Sequence, residues 1–258
     1  MSSFYTPDRD PRWNYGGAKW RLSRSKIELF LECPRCFWLD NKLGTARPRG
    51  PGFTLNIAVD ALLKKEFDAY RAKGTAHPLM ARYGIAAVPF RHADLDRWRE
   101  NFEGIEYRHP ASGLLACGAV DDVWIDPAGE LIVVDYKATS KDGDIKALED
   151  SPWAAQYRRQ LGVYQWLLQQ NGFTVSKRGY FVYANARSDK EAFDSRLEFD
   201  VTIVPCDGDT TWMEATLVAI RQTLDSDIIP AAGTSCDFCQ YRDAAGRKLR
   251  SYAMKAHA

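Results

Sequence analysis

A short stretch with two β-branched segments and a turn between them constrains the fold of this chain more than any other feature. The segments are residues 117–125 and 131–138, and both are apolar and rich in β-branched side chains. Between them lies Asp126-Pro-Ala-Gly129, a combination that favours a tight reversal of the chain. The pattern predicts a β-hairpin.

The symmetry of the predicted turn indicates which residues face each other across the hairpin. A loop centred on residue 128 places Asp121 opposite Asp135, with both side chains on one face. Lys137 lies two residues beyond Asp135 and therefore points the same way. Two opposed carboxylates repel each other unless a divalent cation binds between them. A lysine beside that cation can orient or activate a water molecule.

A purely structural interpretation of these aspartates stays open at this point. Aspartates are common at strand ends, where they need no metal. A shift of the register by one residue would also turn Asp121 to the other face and bring in Asp122. The hairpin alone therefore leaves both a metal site and ordinary strand-end aspartates as interpretations.

Three motifs follow one another along the chain. They are Gly118-Ala-Val-Asp121, Val134-Asp-Tyr-Lys137 and Gln160-Leu-Gly-Val-Tyr164. In this order they resemble the RecB-like branch of the PD-(D/E)xK nuclease superfamily, which has G-x-x-D, D-x-K and Q-x-x-x-Y at similar gaps. With the cysteines described below, the resemblance extends over residues 23–243. It implies an α/β fold in which a mixed central sheet is flanked by helices.

The resemblance also implies roles for the residues of the hairpin. Asp121 and Asp135 would bind Mg²⁺ or Mn²⁺, together with the backbone carbonyl of Tyr136. Lys137 would orient the attacking water and stabilise the charge that develops on the phosphate. Together they would form the catalytic part of the site.

The glutamine of the third motif lies on a helix that the apolar periodicity predicts over residues 153–170. Gln160 projects from the middle of the apolar stripe, and a buried amide is costly unless it is fully hydrogen-bonded. In the resembled family the glutamine and the tyrosine, here Tyr164, pack beside the hairpin and help to position substrate or metal-site groups. The alternative is an amide that bonds to the backbone in the core.

A third metal ligand is less clearly marked. Many RecB-like nucleases carry a ligand histidine on an early helix, and the periodicity predicts such a helix over residues 56–72. No histidine occurs there, and Asp60, at the edge of the apolar stripe, is the best substitute. The alternative is an edge carboxylate that pairs with a basic neighbour.

Four of the six cysteines form two C-x-x-C pairs, Cys33-Pro-Arg-Cys36 and Cys236-Asp-Phe-Cys239. Disulfides are disfavoured in the cytoplasm, so the pairs predict a metal centre. Four thiolates suit either structural zinc or an iron–sulfur cluster. Cys117 and Cys206 are predicted to be ordinary small apolar residues.

The same family resemblance implies the iron–sulfur alternative. CRISPR-associated RecB-like exonucleases and the nuclease domain of AddB-type DNA-repair subunits hold a 4Fe-4S cluster between an early cysteine and a C-terminal cysteine group. This chain lacks the usual third C-terminal cysteine, and Cys36 would have to replace it. Zinc therefore stays open, and either centre would join the two ends of the chain.

Composition and charge exclude little about the function. The net charge is +1 and the hydrophobic share is 45%, which is ordinary for a globular protein. No apolar run reaches the roughly 18–20 residues that span a membrane, and no signal-peptide pattern is present. We therefore expect a soluble, cytoplasmic protein whose nucleic-acid contacts, if any, depend on local basic grooves.

The remaining segments complete the predicted organisation. Residues 1–22 form an irregular arm, residues 23–243 a single nuclease domain and residues 244–258 a C-terminal tail. The basic and aromatic residues of the arm suit stacking on single-stranded nucleic acid, although packing on the protein body explains them better. Further elements are predicted by capping and periodicity: helices at 26–32, 94–102 and 210–224, and strands at 179–184 and 196–204.

Taken together, these features predict a metal-dependent deoxyribonuclease that hydrolyses phosphodiester bonds. The resemblance implies DNA as the partner, most simply as an exonuclease acting on single-stranded ends. The alternative is a nuclease-fold module that binds nucleic acid or a protein partner without cutting, and the missing histidine is its best support.

Overall fold

The computed structural model of the protein describes residues 9–48, 50, 52, 54–148 and 151–256. Its helices are α1 (Arg24–Glu32), α2 (Pro34–Asn41), α3 (Thr54–Lys73), α4 (Pro78–Arg82), α5 (Leu95–Arg99), α6 (Pro152–Gln170), α7 (Met213–Asp225) and α8 (Asp237–Ala256). Its strands are β1 (Leu22–Ser23), β2 (Val88–Pro89), β3 (Ile105–Arg108), β4 (Leu115–Gly118), β5 (Asp122–Ile125), β6 (Leu131–Thr139), β7 (Arg178–Ala186) and β8 (Phe199–Asp207).

The chain divides into two compact units. The first unit consists of Met1–Pro51, His109–Leu115 and Glu214–Ala258, and the second of Gly52–Arg108 and Ala116–Met213. The second unit contains a five-stranded sheet in the order β2-β5-β6-β7-β8. Strands β6 and β7 are parallel, whereas the other neighbours are antiparallel. The predicted α/β class with a mixed sheet is confirmed.

Helix α6 connects the two parallel strands of the sheet, since parallel neighbours need a long crossover. Its N-terminus is capped by Ser151, whose hydroxyl accepts a hydrogen bond from the amide of Ala154 at 3.1 Å. Ser151 is followed directly by Pro152, which suits the first position of a helix. These two signals explain why the helix begins here.

Helix α3 covers one face of the same sheet. Phe67 is fully buried and stacks on Trp124 of β5, with ring centroids 5.5 Å apart. Leu63 of the helix and Val134 and Tyr136 of β6 belong to the same apolar cluster. Burial of such side chains contributes roughly 1.5–3 kcal/mol each. This packing places the first half of α3, with Asp60, beside the hairpin.

The predicted hairpin forms with the expected register but with a shorter first strand. Asp122 pairs with Val134 and Ile125 with Leu131, so the pairing is centred on residue 128 as predicted. The continuous strand expected from residue 117 is wrong, because residues 119–121 separate β4 from β5. At this break the amide of Val120 bonds to the carbonyl of Trp98, 3.1 Å away.

Several other boundaries differ from the sequence-based predictions. The first helix begins at Arg24, with Ser23 as its N-cap, rather than at the predicted residue 26. Helices α2 and α4 were not predicted, and α8 continues through residues expected to form a tail. Helix α7 begins at Met213 rather than at the predicted residue 210. The last two residues of the expected tail lie outside the described residues.

The N-terminal arm is attached within the first unit. Arg9 forms an ion pair with Asp40 at 2.7 Å. The indole of Trp20 donates to the side-chain carbonyl of Asn41 at 3.0 Å. Tyr15 donates to Asp225 at 2.6 Å. These contacts support packing of the arm on the protein body, while residues 1–8 lie outside the described part of the chain.

Candidate nuclease site and cysteine centre

The two aspartates of the predicted site meet across the hairpin. Asp121 lies just before β5, and its Oδ2 accepts a hydrogen bond from the backbone amide of Tyr136, 2.9 Å away. Asp135 lies on β6 and is fully buried. The structure therefore brings Asp121 to the strand segment that carries Asp135 and Lys137, as the register predicted.

Asp135 is held by two partners on its own face of the sheet. Lys137 Nζ is in ion-pair contact with Oδ2, an oxygen that accepts no hydrogen bond of good geometry from the described residues. The amide of Gln160 donates to Oδ1 at 2.7 Å. A buried carboxylate with one incompletely satisfied oxygen is suited to bind a cation.

Gln160 connects the groups of the site to one another. Its amide nitrogen donates to Asp135 and to the hydroxyl of Tyr164, 3.2 Å away. Its amide oxygen accepts from Lys137 Nζ at 3.3 Å. The carboxylate needs a donor and the ammonium an acceptor, so this arrangement fixes the orientation of the amide. The partners of Gln160 are therefore site side chains, rather than core backbone groups.

Gly118 of the G-x-x-D motif leaves the space that the ring of Tyr164, from the Q-x-x-x-Y motif, fills. A Cβ at Gly118 would lie 2.8 Å from Tyr164 Cε1 and 3.1 Å from Cδ1, too close for any other residue without a shift. The Tyr164 ring, which is almost fully buried, therefore packs directly on the β4 backbone. This contact links α6 to the segment that leads to Asp121.

Lys137 is enclosed by aromatic rings as well as by polar groups. Its Nζ lies 4.5 Å from the centre of the Tyr157 ring and 5.8 Å from that of Phe181. Burial disfavours the ammonium charge, but Asp135 and Asp121 outweigh it and raise the pKa of Lys137. The side chain is therefore a positively charged hydrogen-bond donor at neutral pH.

Asp60 comes close to the site, but through a lysine that the sequence analysis missed. Lys64 Nζ lies 2.9 Å from Asp60 Oδ2 and 3.6 Å from Asp121 Oδ1. Lys64 is one helical turn after Asp60, a spacing that places both side chains on the same face of α3. This i, i+4 relationship was the signal that could have identified it.

The carboxylate oxygens of Asp60, Asp121 and Asp135 lie farther apart than the ligand atoms of a metal site that is already formed. Among the described residues, the four cysteines form the group of potential metal ligands whose atoms all lie within 4.8 Å of one another. Asp60, Asp121 and Asp135 do not meet that condition. Asp60 is thus paired with a basic neighbour, as the structural alternative expected, and its ligand role stays a prediction.

Burial, with a contribution from neighbouring negative charge, raises the pKa of Asp121 and of Asp60. Withdrawal from water, together with the nearby charge of Asp135, raises the pKa of Asp121 to about 6. Partial burial also raises the pKa of Asp60; Lys64 lowers it and Asp121 adds to the rise. Such shifts are typical of carboxylates that are grouped to bind a cation or a proton.

The neighbouring Asp122 belongs to a separate buried network. Its carboxylate forms ion pairs with Arg71 and with Arg99, the latter at 2.9 Å. The Tyr136 hydroxyl donates to its second oxygen at 2.7 Å. Arg99 also donates to the backbone carbonyl of Asp121 at 3.0 Å. Asp122 therefore has a structural role, in which its ion pairs help to fix the backbone at Asp121.

Tyr136 contacts Asp121 and Asp122 through its backbone amide and its hydroxyl, and not through its carbonyl. Its amide bonds to Asp121, and its hydroxyl bonds to Asp122 on the opposite face. Its position in β6 is opposite Val182 of the parallel neighbour β7. The role of the Tyr136 carbonyl as a metal ligand stays a prediction.

The two C-x-x-C pairs come together within the first unit. Cys33 Sγ lies 3.7 Å from Cys239 Sγ, and Cys36 Sγ lies 3.6 Å from both Cys236 Sγ and Cys239 Sγ. All four side chains are buried, and none forms a disulfide. The predicted four-cysteine group between the chain ends is thus confirmed, and its atoms could hold a metal ion.

The helix starts explain how each pair is presented. Cys33 is the N-cap of α2 and Cys36 lies in its first turn, while Cys236 and Cys239 take similar positions at the start of α8. Amides at helix N-termini favour negative charge, which stabilises thiolates there. Cys117 and Cys206 are buried elsewhere, as expected for small apolar residues.

None of the helices in the described ranges has the length and apolar character that would let it cross a membrane. No curated protein matches the chain. Among solved structures, one titled "Crystal structure of SSO0001" is similar at 15% sequence identity and a TM-score of 0.35. That comparison covers 80% of this chain and 77% of the other.

A family model gives the decisive comparison. The model of the PD-(D/E)XK nuclease superfamily matches residues 54–244, which is most of the chain and includes the hairpin, α3 and α6. The match agrees with the mixed sheet and with the order of the motifs along it. The chain therefore belongs to the PD-(D/E)XK nuclease superfamily.

Proposed function

We propose that the protein is a cytoplasmic, metal-dependent nuclease that hydrolyses phosphodiester bonds in DNA from single-stranded ends. The observation that carries this proposal is the contact of Asp135 with both Lys137 and Gln160, while Asp121 reaches the same strand from across the hairpin. The motif resemblance supports DNA as the substrate, and on that basis we propose kinship with the RecB-like exonucleases of repair and CRISPR systems.

The carboxylates of the site fit a hard divalent cation. Asp121 and Asp135 offer oxygen ligands of the kind that Mg²⁺ and Mn²⁺ prefer. Within the described ranges, Asp135 Oδ2 is paired with Lys137 Nζ but accepts no hydrogen bond of good geometry. Asp60 and the carbonyl of Tyr136 are the proposed additional ligands. A bound ion would polarise a phosphoryl oxygen and lower the pKa of a coordinated water.

Lys137 has the position and charge for a role at the scissile phosphate. Because its pKa is raised, it remains protonated and acts as a donor rather than as a base. Its ammonium can orient the attacking water and stabilise the negative charge that grows on the phosphate. Gln160 and the Tyr157 ring restrict its position, which reduces the freedom lost when substrate binds.

Gln160 and Tyr164 complete the pocket by positioning the other groups. Gln160 contacts both Asp135 and Lys137, so it keeps the carboxylate and the ammonium at a fixed separation. The hydroxyl of Tyr164 accepts a hydrogen bond from the Gln160 amide nitrogen and so helps to orient this amide. We assign them to positioning, because their polar groups contact one another and the side chains of Asp135 and Lys137.

A cleft beside Lys137 suits a single strand of nucleic acid. It has a volume of about 520 Å³. Its charged lining residues are Lys137, Lys141, Lys146, Asp142 and Asp144, and its aromatic ones include Trp153 and Tyr183. Trp153 is 69% exposed, although most large apolar side chains of the second unit are buried. Exposed aromatic rings stack on bases, and lysines bind phosphates, without regard to base sequence. These features support the single-stranded substrate.

The first test is cleavage of end-labelled single-stranded DNA in the presence of Mn²⁺. We expect the wild-type protein to shorten the strand from an end and Lys137→Ala to lose nearly all of this activity. Lys177→Ala removes an exposed lysine elsewhere in the second unit and serves as the matched control. The ladder of products gives the polarity of cleavage.

The rival function is binding without cutting. The separation of the three carboxylates and the position of Lys64 between Asp60 and Asp121 are the observations that favour it. If wild-type protein cuts no single-stranded, duplex or flapped DNA yet still binds it, the catalytic proposal is wrong and the binding function replaces it.

A further inference from the structure

The spacing of the four cysteine sulfurs distinguishes between the two kinds of metal centre. In a tetrahedral site with metal–sulfur bonds of about 2.3 Å, neighbouring sulfurs lie about 3.8 Å apart. The three sulfur–sulfur distances given above are 3.6, 3.6 and 3.7 Å, and all four sulfurs lie within 4.8 Å of one another. The four thiolates thus approximate the ligand shell of one ion.

An iron–sulfur cubane requires a wider arrangement. Each cysteine of such a cluster binds a different iron atom at a corner, and the core of iron and sulfide lies between the thiolates. Four sulfurs that are already within 4.8 Å of one another leave no room for that core. They are also too far apart for a disulfide, whose sulfur–sulfur bond is about 2.05 Å.

We propose that the four cysteines hold a single tetrahedral zinc ion, and that this centre replaces the 4Fe-4S cluster suggested by the family resemblance. The pairing of two C-x-x-C motifs, in place of one early cysteine and three late ones, agrees with a closed four-thiolate zinc site. With all four positions taken by protein, the centre is structural.

Hydrogen-bond donors next to the cysteine sulfurs stabilise the thiolate form of these side chains. The amide of Gly233 donates to Cys33 Sγ at 3.2 Å, and the guanidinium of Arg47 donates to Cys236 Sγ at the same distance. Arg47 is in turn held by Glu32, 2.6 Å away. Such second contacts orient the ligands and offset their negative charge.

Gly233 is required by this geometry for a steric reason. A Cβ at this position would lie 2.2 Å from the carbonyl oxygen of Glu32 and 3.3 Å from the Cα of Cys33. Only glycine lets the loop before α8 approach the N-terminus of α2 so closely. The two segments are therefore shaped to bring their cysteines to one point.

Metal analysis of the full-length protein tests the proposal without any measurement of nuclease activity. The protein would be purified without oxygen from cells supplied with both iron and zinc. We expect a colourless protein with about one zinc ion per chain and no acid-labile sulfide. A brown protein with about four iron and four sulfide per chain would overturn the proposal. One iron ion without sulfide, or no metal at all, would also overturn it.

Variants and cobalt provide independent readouts. Cys36→Ser is expected to lose the zinc, whereas Cys206→Ser, which changes a buried cysteine outside the group, is expected to keep it. Should Cys36→Ser fail to fold, exchange of the wild-type ion for Co²⁺ still decides the matter. A tetrahedral cobalt–thiolate site gives intense visible absorption, and a spectrum typical of octahedral cobalt would contradict the proposed geometry.

Discussion

Lys64 Nζ lies 2.9 Å from Asp60 Oδ2 and 3.6 Å from Asp121 Oδ1, so that one ammonium group bridges two carboxylates of the proposed metal site. The raised pKa of Lys64, to which Asp121 contributes against the effect of burial, reflects this contact. A divalent cation bound by the same aspartates must compete with the lysine, and this competition leads to the first prediction.

Replacement of Lys64 by methionine is expected to strengthen Mn²⁺ binding. The change removes one positive charge about 4 Å from a ligand, a difference of about 1 kcal/mol or roughly five-fold in affinity. Titration calorimetry on the two proteins would measure it. Lys65→Met, one residue further along α3 and exposed, is the matched control and should leave the affinity unchanged. Weaker Mn²⁺ binding by Lys64→Met would show that the lysine supports the site.

Mn²⁺ affinity is expected to fall with pH below about 6, where Asp121 takes up a proton. A cation binds the ionised carboxylate, so each further unit of acidification should weaken binding up to about ten-fold. The measurement is a series of Mn²⁺ titrations between about pH 5 and 8. Asp121→Asn should bind weakly throughout and lack this pH step. A wild-type affinity that is constant across the range would contradict the assignment.

Asp121→Asn is expected to stabilise the metal-free protein at neutral pH. The folded-state pKa of Asp121, about 6, lies above its ordinary value of 3.8, so ionisation of this group opposes folding. The penalty is fully present above about pH 6 and disappears below about pH 4 as both states become protonated. Asparagine retains an acceptor for the Tyr136 amide and should add about 1 kcal/mol to the free energy of unfolding.

Thermal unfolding in a chelator at several pH values would show this effect. The melting temperature of Asp121→Asn should exceed that of wild type at neutral pH, and the two should converge in acid. A variant that is less stable than wild type at neutral pH would mean that the charge of Asp121 is satisfied in the metal-free protein.

Gln160→Leu is expected to lower both stability and activity. Loss of the amide leaves Asp135 Oδ1 without its donor, at a cost of about 1–3 kcal/mol. Gln165→Leu is the matched control, because this buried amide on the same helix donates to the backbone carbonyls of Ser176 and Lys177 rather than to Asp135. Both should reduce the melting temperature, but only Gln160→Leu should reduce cleavage per folded molecule. Equal cleavage by the two variants would remove Gln160 from the site.

Gly118→Ala is expected to destabilise the second unit by about 1–3 kcal/mol, because the methyl group would meet the Tyr164 ring. Denaturant unfolding would measure the loss. Gly50→Ala adds a methyl group that has no atom of the described part of the chain within 4 Å, and it serves as the comparison. A Gly118→Ala variant as stable as wild type would show that the ring can move away.

The hairpin and its register could be predicted because they depend on local signals. The turn Asp126–Gly129 and the alternation of the strands decide the register, in which Asp122 pairs with Val134, without any distant contact. The break at residues 119–121 could not be predicted, since Val120 is as apolar as a strand residue. Its amide turns instead to Trp98, a partner that only the tertiary structure brings there.

The cysteine-bearing helices were missed for a different reason. Pro34 follows Cys33, and proline suits the first position of a new helix as well as the segment after the end of one. The charge network of Asp122 with Arg71 and Arg99 joins residues 23 to 51 positions apart along the chain. No periodicity links such residues, so only their packing identifies them.

The cysteine centre also affects the order in which the protein can mature during synthesis. Cys33 and Cys239 are 206 residues apart, so the ribosome completes all of Gly52–Met213 before the second pair is made. The sheet of the second unit is therefore translated in full before Cys236 and Cys239, the partners of Cys33 and Cys36, have been synthesised. Until then the thiols of Cys33 and Cys36 need protection from oxidation and from foreign metals, and binding of the proposed zinc ion would be the last step of assembly.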